Sequence, residues 1–432
     1  MAHQNTVLII TPKTGNDPDR LEDICARLKI GRMAASIREF DGQKIARLPK
    51  AAPSIILMDF PQALPANFAA MTKQLKSVYS DNAPAFAACM PAQDASGLID
   101  LFDTTIIHPA HSSQIAVRLM SLSRLQVMET EMTMRIETLT ESFGATSLTP
   151  KQSARSKMRI LFVGSASPRF MTIVSALESS DAEVIAAFTG FTAFDYLHEQ
   201  DFDAVVLNAM TSEEPAFTIA STMRRNSKLF HTPTLILAGK AHKIDVETAY
   251  RKGASDVIPD SAPPEEIRDR ILEQANFHAI HEDLKSRFSG LGSHETMDPA
   301  TGLYNEAFFN AHIARHCASN RIVPVATFQV GKADGDDTIS PDRLSHACIR
   351  SGSMLRNLVR MQDCTARLSG DRFAVLFPGV SIEDANFAAN RIRAIIAGTG
   401  FNDQSGKYSI SADVTVTNAA AAPQTDIAAI TA

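Results

Sequence analysis

Short continuous apolar runs alternate along this chain with longer amphipathic stretches. Thr6-Val7-Leu8-Ile9-Ile10 and Ser54-Ile55-Ile56-Leu57-Met58-Asp59 have strand length, and the second ends on an acid. Ala85 to Cys89, after Pro84, and Thr104-Thr105-Ile106-Ile107-His108-Pro109 repeat the pattern, with helical periodicity between the runs. Unbroken apolar runs suit strands covered on both faces, so this order predicts a parallel α/β sheet. From Ser112 to Phe143 there is neither Pro nor Gly, and Leu122, Leu125, Met128, Met132, Ile136, Leu139 and Phe143 recur at helical spacing. One long helix with a single apolar stripe is predicted, longer than its own domain needs, which points to pairing with a second copy.

Gly144 to Ser156, with Pro150 and several Ser and Thr, reads as a linker. The strand pattern then restarts at Met158-Arg159-Ile160-Leu161-Phe162-Val163 and continues through Asp203 to Asn208, Thr234 to Ala238, and Ala249 to Ile258. It is an internal repeat. Pro263-Pro264-Glu265-Glu266 opens a helix expected to reach about Phe288, and Ser289-Gly290-Leu291-Gly292-Ser293 is the next joint. Further on, Thr365 to Leu368 and Arg372 to Phe377 flank the turn Ser369-Gly370-Asp371, which reads as a hairpin. The expected division is 1–143, an extended-helix α/β domain; 144–157, a linker; 158–288, a second α/β copy; and 289–432, a third domain.

Composition narrows the function class. With 45% apolar and 21% charged residues and no run of spanning length, the chain reads as soluble and cytoplasmic, without membrane insertion. The net charge of −6 provides no general attraction for DNA. The five cysteines, at 25, 89, 317, 348 and 364, are odd in number and lack metal-ligand spacing, so neither a disulfide framework nor a zinc site is indicated.

Specific motifs carry the functional expectation. The opening Asp298-Pro299-Ala300-Thr301-Gly302-Leu303-Tyr304-Asn305 and the hairpin with its turn Ser369-Gly370-Asp371-Arg372-Phe373 resemble the diguanylate cyclase (GGDEF) family. Both α/β copies resemble response-regulator receiver domains. The order receiver, receiver, GGDEF is similar to that of the PleD family. The resemblance implies two (βα)5 receiver-like domains followed by an adenylyl-cyclase-like α/β domain. It also implies Asp59 as the phospho-acceptor position, although Thr11 and Pro12 stand where a receiver carries its acid pair and His108-Pro109 replaces Lys-Pro. In the second copy Gly164 and Ser165 replace the acids, Asn208 replaces the acceptor and Asp260 the lysine. An amide cannot accept a phosphoryl group, so this copy is expected to be a packing or dimerisation adaptor.

In the third domain the family's catalytic positions are degenerate. Aligning Pro324-Val325-Ala326-Thr327-Phe328-Gln329-Val330-Gly331 with the cyclase first strand puts Gln329 and Gly331 at the two metal aspartates. The turn offers Ser369, Gly370, Asp371 and Arg372, with Ser in place of a Gly and Arg in place of an acid. Magnesium needs anionic oxygens to hold a triphosphate, and Asp371 alone remains. Gly335-Asp336-Asp337-Thr338 does not reproduce the guanine-contacting segment, and no further helix with its phosphate-binding Lys follows the Val414 strand. Asn305 is read either as a guanine contact or as a turn and capping residue.

The family's inhibitory site, an Arg-x-x-Asp five residues before the turn, is present as Arg360 and Asp363, and Arg391 stands at the distance of its second arginine, with Arg393 as substitute. Arginine suits the acceptor edge of guanine and phosphate, and a carboxylate suits the donor edge. The spacing alone is weak, since Arg20-Leu21-Glu22-Asp23 shares it and reads as a surface ion pair. The expectation is therefore a non-enzymatic cyclic di-GMP receptor with no catalytic residue, cofactor or metal. The resemblance, not the residues, further implies a homodimer that signals through a protein adaptor at the cell pole, in cell-cycle-linked delivery of a regulator to a protease. The other readings are a weak diguanylate cyclase or GTP-binding domain, and a nucleotide-free scaffold. Arg224, Arg225 and Arg251 are further candidates to complete the ligand site.

Overall fold

The computed structural model describes residues 5–45, 47–80, 83–95, 97–144, 157–165, 168–180, 182–210, 212–239, 244–259, 261–319, 322–332, 339–403 and 406–419. Residues 145–156 of the expected linker 144–157, Asp260 and the segment 335–338 lie outside these residues. The chain divides into two compact units. One comprises Thr6–Leu125 with Gln152–Asp283, and the other Met1–Asn5, Gln126–Lys151 and Leu284–Ala432.

The first unit holds both α/β copies. The first copy runs β1 (Thr6–Pro12), α1 (Pro18–Ile30), β2 (Ala34–Phe40), β3 (Ile55–Asp59), α2 (Phe68–Val78), β4 (Ala85–Pro91), α3 (Ala92–Ala95) and β5 (Thr104–His108), followed by α4 (Ser112–Phe143). Its parallel sheet has the order β2-β1-β3-β4-β5. Alternate residues of β1 serve opposite faces. Val7 and Ile9 pack with Leu21, Ile24 and Leu28 of α1, while Leu8 and Ile10 pack with Phe68, Met71 and Leu75 of α2. The apolar pattern did not single out β2, because this edge strand is largely exposed or half-exposed and its sequence is correspondingly mixed.

The repeat comprises β6 (Met158–Val163), α5 (Pro168–Glu178), β7 (Ala182–Ala187), α6 (Gly190–Glu199), β8 (Ala204–Ala209), α7 (Glu214–Arg225), β9 (Thr234–Ala238), α8 (Val246–Arg251), β10 (Asp256–Pro259) and α9 (Pro264–Ser289). Its sheet, β7-β6-β8-β9-β10, has the topology of the first. Arg27 pairs with Glu247 at 2.8 Å and Arg118 with Glu273 at 3.0 Å, while Thr104 Oγ1 donates to Glu273 at 2.6 Å. These contacts tie the copies together.

The second unit contains β11 (Tyr304–Asn305), α10 (Glu306–Ala318), β12 (Val323–Lys332), α11 (Pro341–Leu358), β13 (Cys364–Arg367), β14 (Arg372–Leu376), α12 (Ile382–Gly398), β15 (Phe401–Asp403), β16 (Gly406–Tyr408) and β17 (Ile410–Ala419). Its mixed sheet is ordered β11-β13-β14-β12-β17. Phe328, Val330, Phe373 and Val375 face Ala347 and Leu355 of α11 and Ala389, Ile392 and Ile396 of α12, forming the core.

The part of α4 from Gln126 belongs to this second unit. Along the stripe Leu122, Leu125, Met128, Met132 and Leu139 are buried, and Ile136 and Phe143 are half-buried. Phe143 lies 6.0 Å from the Phe308 ring of α10. The seam expected to pair with a second copy is therefore largely covered within the chain itself: Leu122 packs in the core of the first copy, and Phe143 packs on α10. Among the described residues no helix is long and apolar enough to cross a membrane.

Candidate nucleotide-binding site

The turn between α11 and β13 brings Arg360 and Asp363 together. The Asp363 N–H donates to the Arg360 carbonyl at 3.0 Å, and the Arg360 N–H donates to Asp363 Oδ2 at 2.8 Å. The aspartate closes the turn by this reciprocal pair, the way short polar side chains commonly hold tight turns. Asp363 is 6% exposed, and its Oδ1 is buried with no hydrogen-bond partner among the described residues. Burial pushes its carboxyl up to about 7, against the Arg360 N–H and the charges of Arg360 and Arg135. The Arg360 side chain is solvent-exposed.

Arg391, on the exposed side of α12, donates from Nη2 to the Leu358 carbonyl at 3.4 Å. Leu358 is the last residue of α11, two before Arg360. The three sequence-selected residues thus converge on one turn, and the helix register presents Arg391 there without exchange for Arg393. Behind the turn lies a cavity of about 80 Å³ lined by Arg135, Tyr304, Arg356, Arg360 and Asp363 among others. It is far smaller than a ligand pocket of several hundred Å³. Sequence reasoning missed Arg356 and Arg135. Arg356 had a readable signal, one helical turn before Arg360; Arg135 comes from a distant helix and had none.

The signature turn is built differently. β12 pairs antiparallel with β14, with Gln329 opposite Arg372, and the Val330 N–H donates to the Asp371 carbonyl at 2.9 Å. Gln329 and Gly331 accordingly stand beside the turn, where the alignment put the metal acids. Gln329 Nε2 donates to Asp371 Oδ2 at 2.7 Å, and Ser369 Oγ to Asp371 Oδ1 at 3.1 Å. Both oxygens of the remaining acid are held by neutral donors. Arg367 ties the tip down by donating to the Ser369 and Gly370 carbonyls, at 3.1 and 2.9 Å. Asn305 caps α10, accepting from the Phe308 N–H at 3.0 Å and donating to the Glu295 carbonyl at 2.7 Å. Its polar atoms do the capping work.

In the first α/β copy Asp59 lies at the end of β3, next to the point where the strand order reverses, the usual site location in such sheets. Arg20 clamps it: Nη1 donates to Oδ2 at 2.7 Å, Nη2 to Oδ1 at 3.0 Å and also to Cys89 Sγ at 3.3 Å. The thiol of Cys89 is pushed up to about 12 by burial, so it is present as the neutral acceptor. The surface ion pair read from Arg20-Leu21-Glu22-Asp23 does not form. Arg20 turns inward to Asp59, and Asp23 pairs instead with Arg27 at 2.9 Å, one helical turn on. In the repeat, Asn208 Oδ1 accepts from the Met210 N–H at 3.0 Å. Gly164, at φ +142°, lies so close that a Cβ there would be 2.5 Å from the Asn208 Cβ. Any side chain in the acid position would displace that residue.

Among the other arginines considered, Arg224 donates to the Gly253 carbonyl at 2.8 Å, the Thr232 carbonyl at 3.3 Å and Ser255 Oγ at 2.9 Å, and also to the Phe230 carbonyl. Arg251 donates to Thr248 Oγ1 at 2.8 Å. Both are engaged inside their own copy.

Residues 346–430 match the family described as diguanylate cyclase, GGDEF domain. The chain is 20% identical over 234 residues to the response regulator PleD of Caulobacter vibrioides, covering 52% of this chain and 50% of PleD. It spans about half the length of the curated relatives it matches. Among solved structures, the GGDEF domain of DgcB from Caulobacter crescentus in complex with c-di-GMP is 16% identical, covering 32% of this chain and 83% of that one, with a TM-score of 0.28. A response regulator from Thermotoga maritima is 20% identical, covering 28% and 98%, with a TM-score of 0.25. The chain thus has two receiver-like parallel α/β sheets and, C-terminal to them, a mixed sheet whose region 346–430 matches the GGDEF domain at low sequence identity.

Proposed function

We propose that this chain is a cyclic di-GMP receptor without cyclase activity, binding the dinucleotide at Arg360, Asp363 and Arg391. The observation that carries the reading is the contrast between two turns of one domain. At Asp363 a buried carboxylate oxygen lacks a donor beside two arginines, whereas at Asp371 both oxygens are occupied and the neighbouring metal positions are Gln329 and Gly331. Guanine N1–H and N2–H are donors for such an oxygen, and arginine addresses the N7/O6 edge or phosphate. Without the acid set, magnesium stabilisation worth several kcal/mol is lost, and each 1.4 kcal/mol is about tenfold in rate.

The resemblance extends the proposal to a PopA-type protein: a cytoplasmic dimer at the cell pole, whose nucleotide-bound form docks an adaptor and delivers a cell-cycle regulator to a protease. Asp59 acts in it as the anchor of Arg20, with no phosphoryl transfer. The nucleotide would act by favouring one arrangement of the domains over others.

Calorimetric titration with cyclic di-GMP tests the core of this reading. Binding by the full chain that is lost in Arg360→Ala supports it. Conversion of radiolabelled GTP to the dinucleotide would support a cyclase instead, and no heat from either nucleotide would leave a scaffold.

A further inference from the structure

The GGDEF-containing unit holds a second cluster of chemistry that the nucleotide site does not use. His312 and His316 are one helical turn apart on α10, so both rings leave the same face of the helix. They converge on one carboxylate from the far part of α4. His312 Nε2 lies 2.8 Å from Glu131 Oε1, and His316 Nε2 lies 3.1 Å from Glu131 Oε2. The three side chains are 0%, 2% and 1% exposed.

The surroundings orient these groups as metal ligands are oriented. Thr138 Oγ1 is 2.7 Å from the Met134 carbonyl and 3.1 Å from His312 Nδ1. A hydroxyl has one proton; with it on the carbonyl, Nδ1–H is the donor to Thr138, and the Nε2 lone pair points at Glu131. A cation, either a second ring proton or a metal ion, closes this 2.8 Å contact. Arg135 Nε donates to Glu131 Oε1 at 2.8 Å, leaving Oε2 and the two imidazoles to share an ion. A hydrogen-bonded hydroxyl behind a histidine and an arginine behind a carboxylate are outer partners of the kind that fix metal ligands.

Distances and donor types select the ion. One ligand atom from each residue lies within 4.8 Å of the others. Tetrahedral zinc with ligands at about 2.0–2.1 Å separates them by roughly 3.3 Å, a spacing inside the limit that encloses these three atoms. Two imidazoles and a carboxylate suit zinc, and a pair of histidines at i and i+4 is a common way for one helix to contribute two ligands. We propose that Glu131, His312 and His316 form a structural zinc site that fastens the far part of α4 to α10. Three protein ligands leave one tetrahedral position, which a water would fill, and the buried position means that the site is loaded as the unit folds. It differs from the cysteine-based sites that the sequence excludes.

The test uses the full-length chain, stripped with a chelator, supplied with zinc chloride and dialysed. Expected are one zinc retained per chain by mass spectrometry and a thermal midpoint higher than that of the stripped protein. His312→Gln combined with His316→Gln should lose both. Should that variant not fold, cobalt(II) loading of the wild type decides, with the intense visible bands of a tetrahedral nitrogen and oxygen site expected. Zinc content well below one per chain, equal retention by a folded variant, or the weak spectrum of hydrated cobalt would overturn the proposal.

Discussion

Asp363 Oδ2 accepts the Arg360 N–H at 2.8 Å while its Oδ1 is buried without a partner. One carboxylate therefore both closes a turn and keeps an acceptor out of solvent.

The pH dependence follows with a definite sign. Burial raises the Asp363 carboxyl from 3.8 to about 7, opposed by Arg360 and Arg135 and reinforced by Glu131. The folded chain then holds a proton that the unfolded chain has released, so this group's contribution to stability falls as pH rises from about 4 to about 7. A ligand that needs the ionised form shows the reverse trend: cyclic di-GMP affinity is expected to rise up to tenfold per pH unit below about 7 and to level off above it. Calorimetry near pH 6, in two buffers of different ionisation enthalpy, should detect proton release on binding, and Asp363→Asn should abolish the pH trend.

Arg391 is a clean probe because it is exposed and its hydrogen bond to the Leu358 carbonyl is long. Arg391→Ala should shift urea stability by no more than about 0.5 kcal/mol. It should weaken dinucleotide binding by about 1.5–3 kcal/mol, roughly tenfold to a hundredfold, the range of a hydrogen bond to a charged group. A large loss of stability with unchanged affinity would assign Arg391 to the fold instead.

The degenerate turn invites a gain-of-binding experiment. Gln329→Asp with Gly331→Asp places two carboxylates beside Asp371, and a Cβ at Gly331 meets Ser411 Oγ at 3.3 Å, a contact a small rotation relieves. Magnesium should raise the thermal midpoint of the double variant while leaving the wild type unchanged. An equal response of both proteins would show that the natural turn already binds the ion.

Removing Arg20 strands Asp59. The carboxylate is 1% exposed and the guanidinium holds both its oxygens, so Arg20→Ala should destabilise by about 3–5 kcal/mol. Asp59→Asn added to it should recover most of that loss, measured as the shift of the urea transition.

How much of this was legible in the sequence depends on whether a feature is local. The buried strands Thr6–Pro12 and Ile55–Asp59, the helix Ser112–Phe143 and the hairpin around Ser369 to Asp371 announce themselves through apolar runs, the lack of breakers and turn residues. The edge strand Ala34–Phe40 did not, since half-exposed positions impose no apolar pattern. At the candidate site, the spacing of Arg360, Asp363 and Arg391 was readable, but the orphaned Oδ1 was not. It depends on how the turn folds onto its own backbone. The pairings Arg20 with Asp59 and Glu131 with His312 join residues 39 and 181 apart, and only the folded chain brings them together. The stripe on α4 was correctly seen as apolar, but what covers it was not legible, because periodicity shows that a face is buried without showing against what.

The most direct measurement is a crystal structure of the full chain grown with saturating cyclic di-GMP. The account expects a guanine with N1–H and N2–H at about 3 Å from Asp363 Oδ1, and Arg360 and Arg391 on its acceptor edge or phosphate. Density for the nucleotide beside Asp371 and Gln329, or none at Asp363, would contradict it.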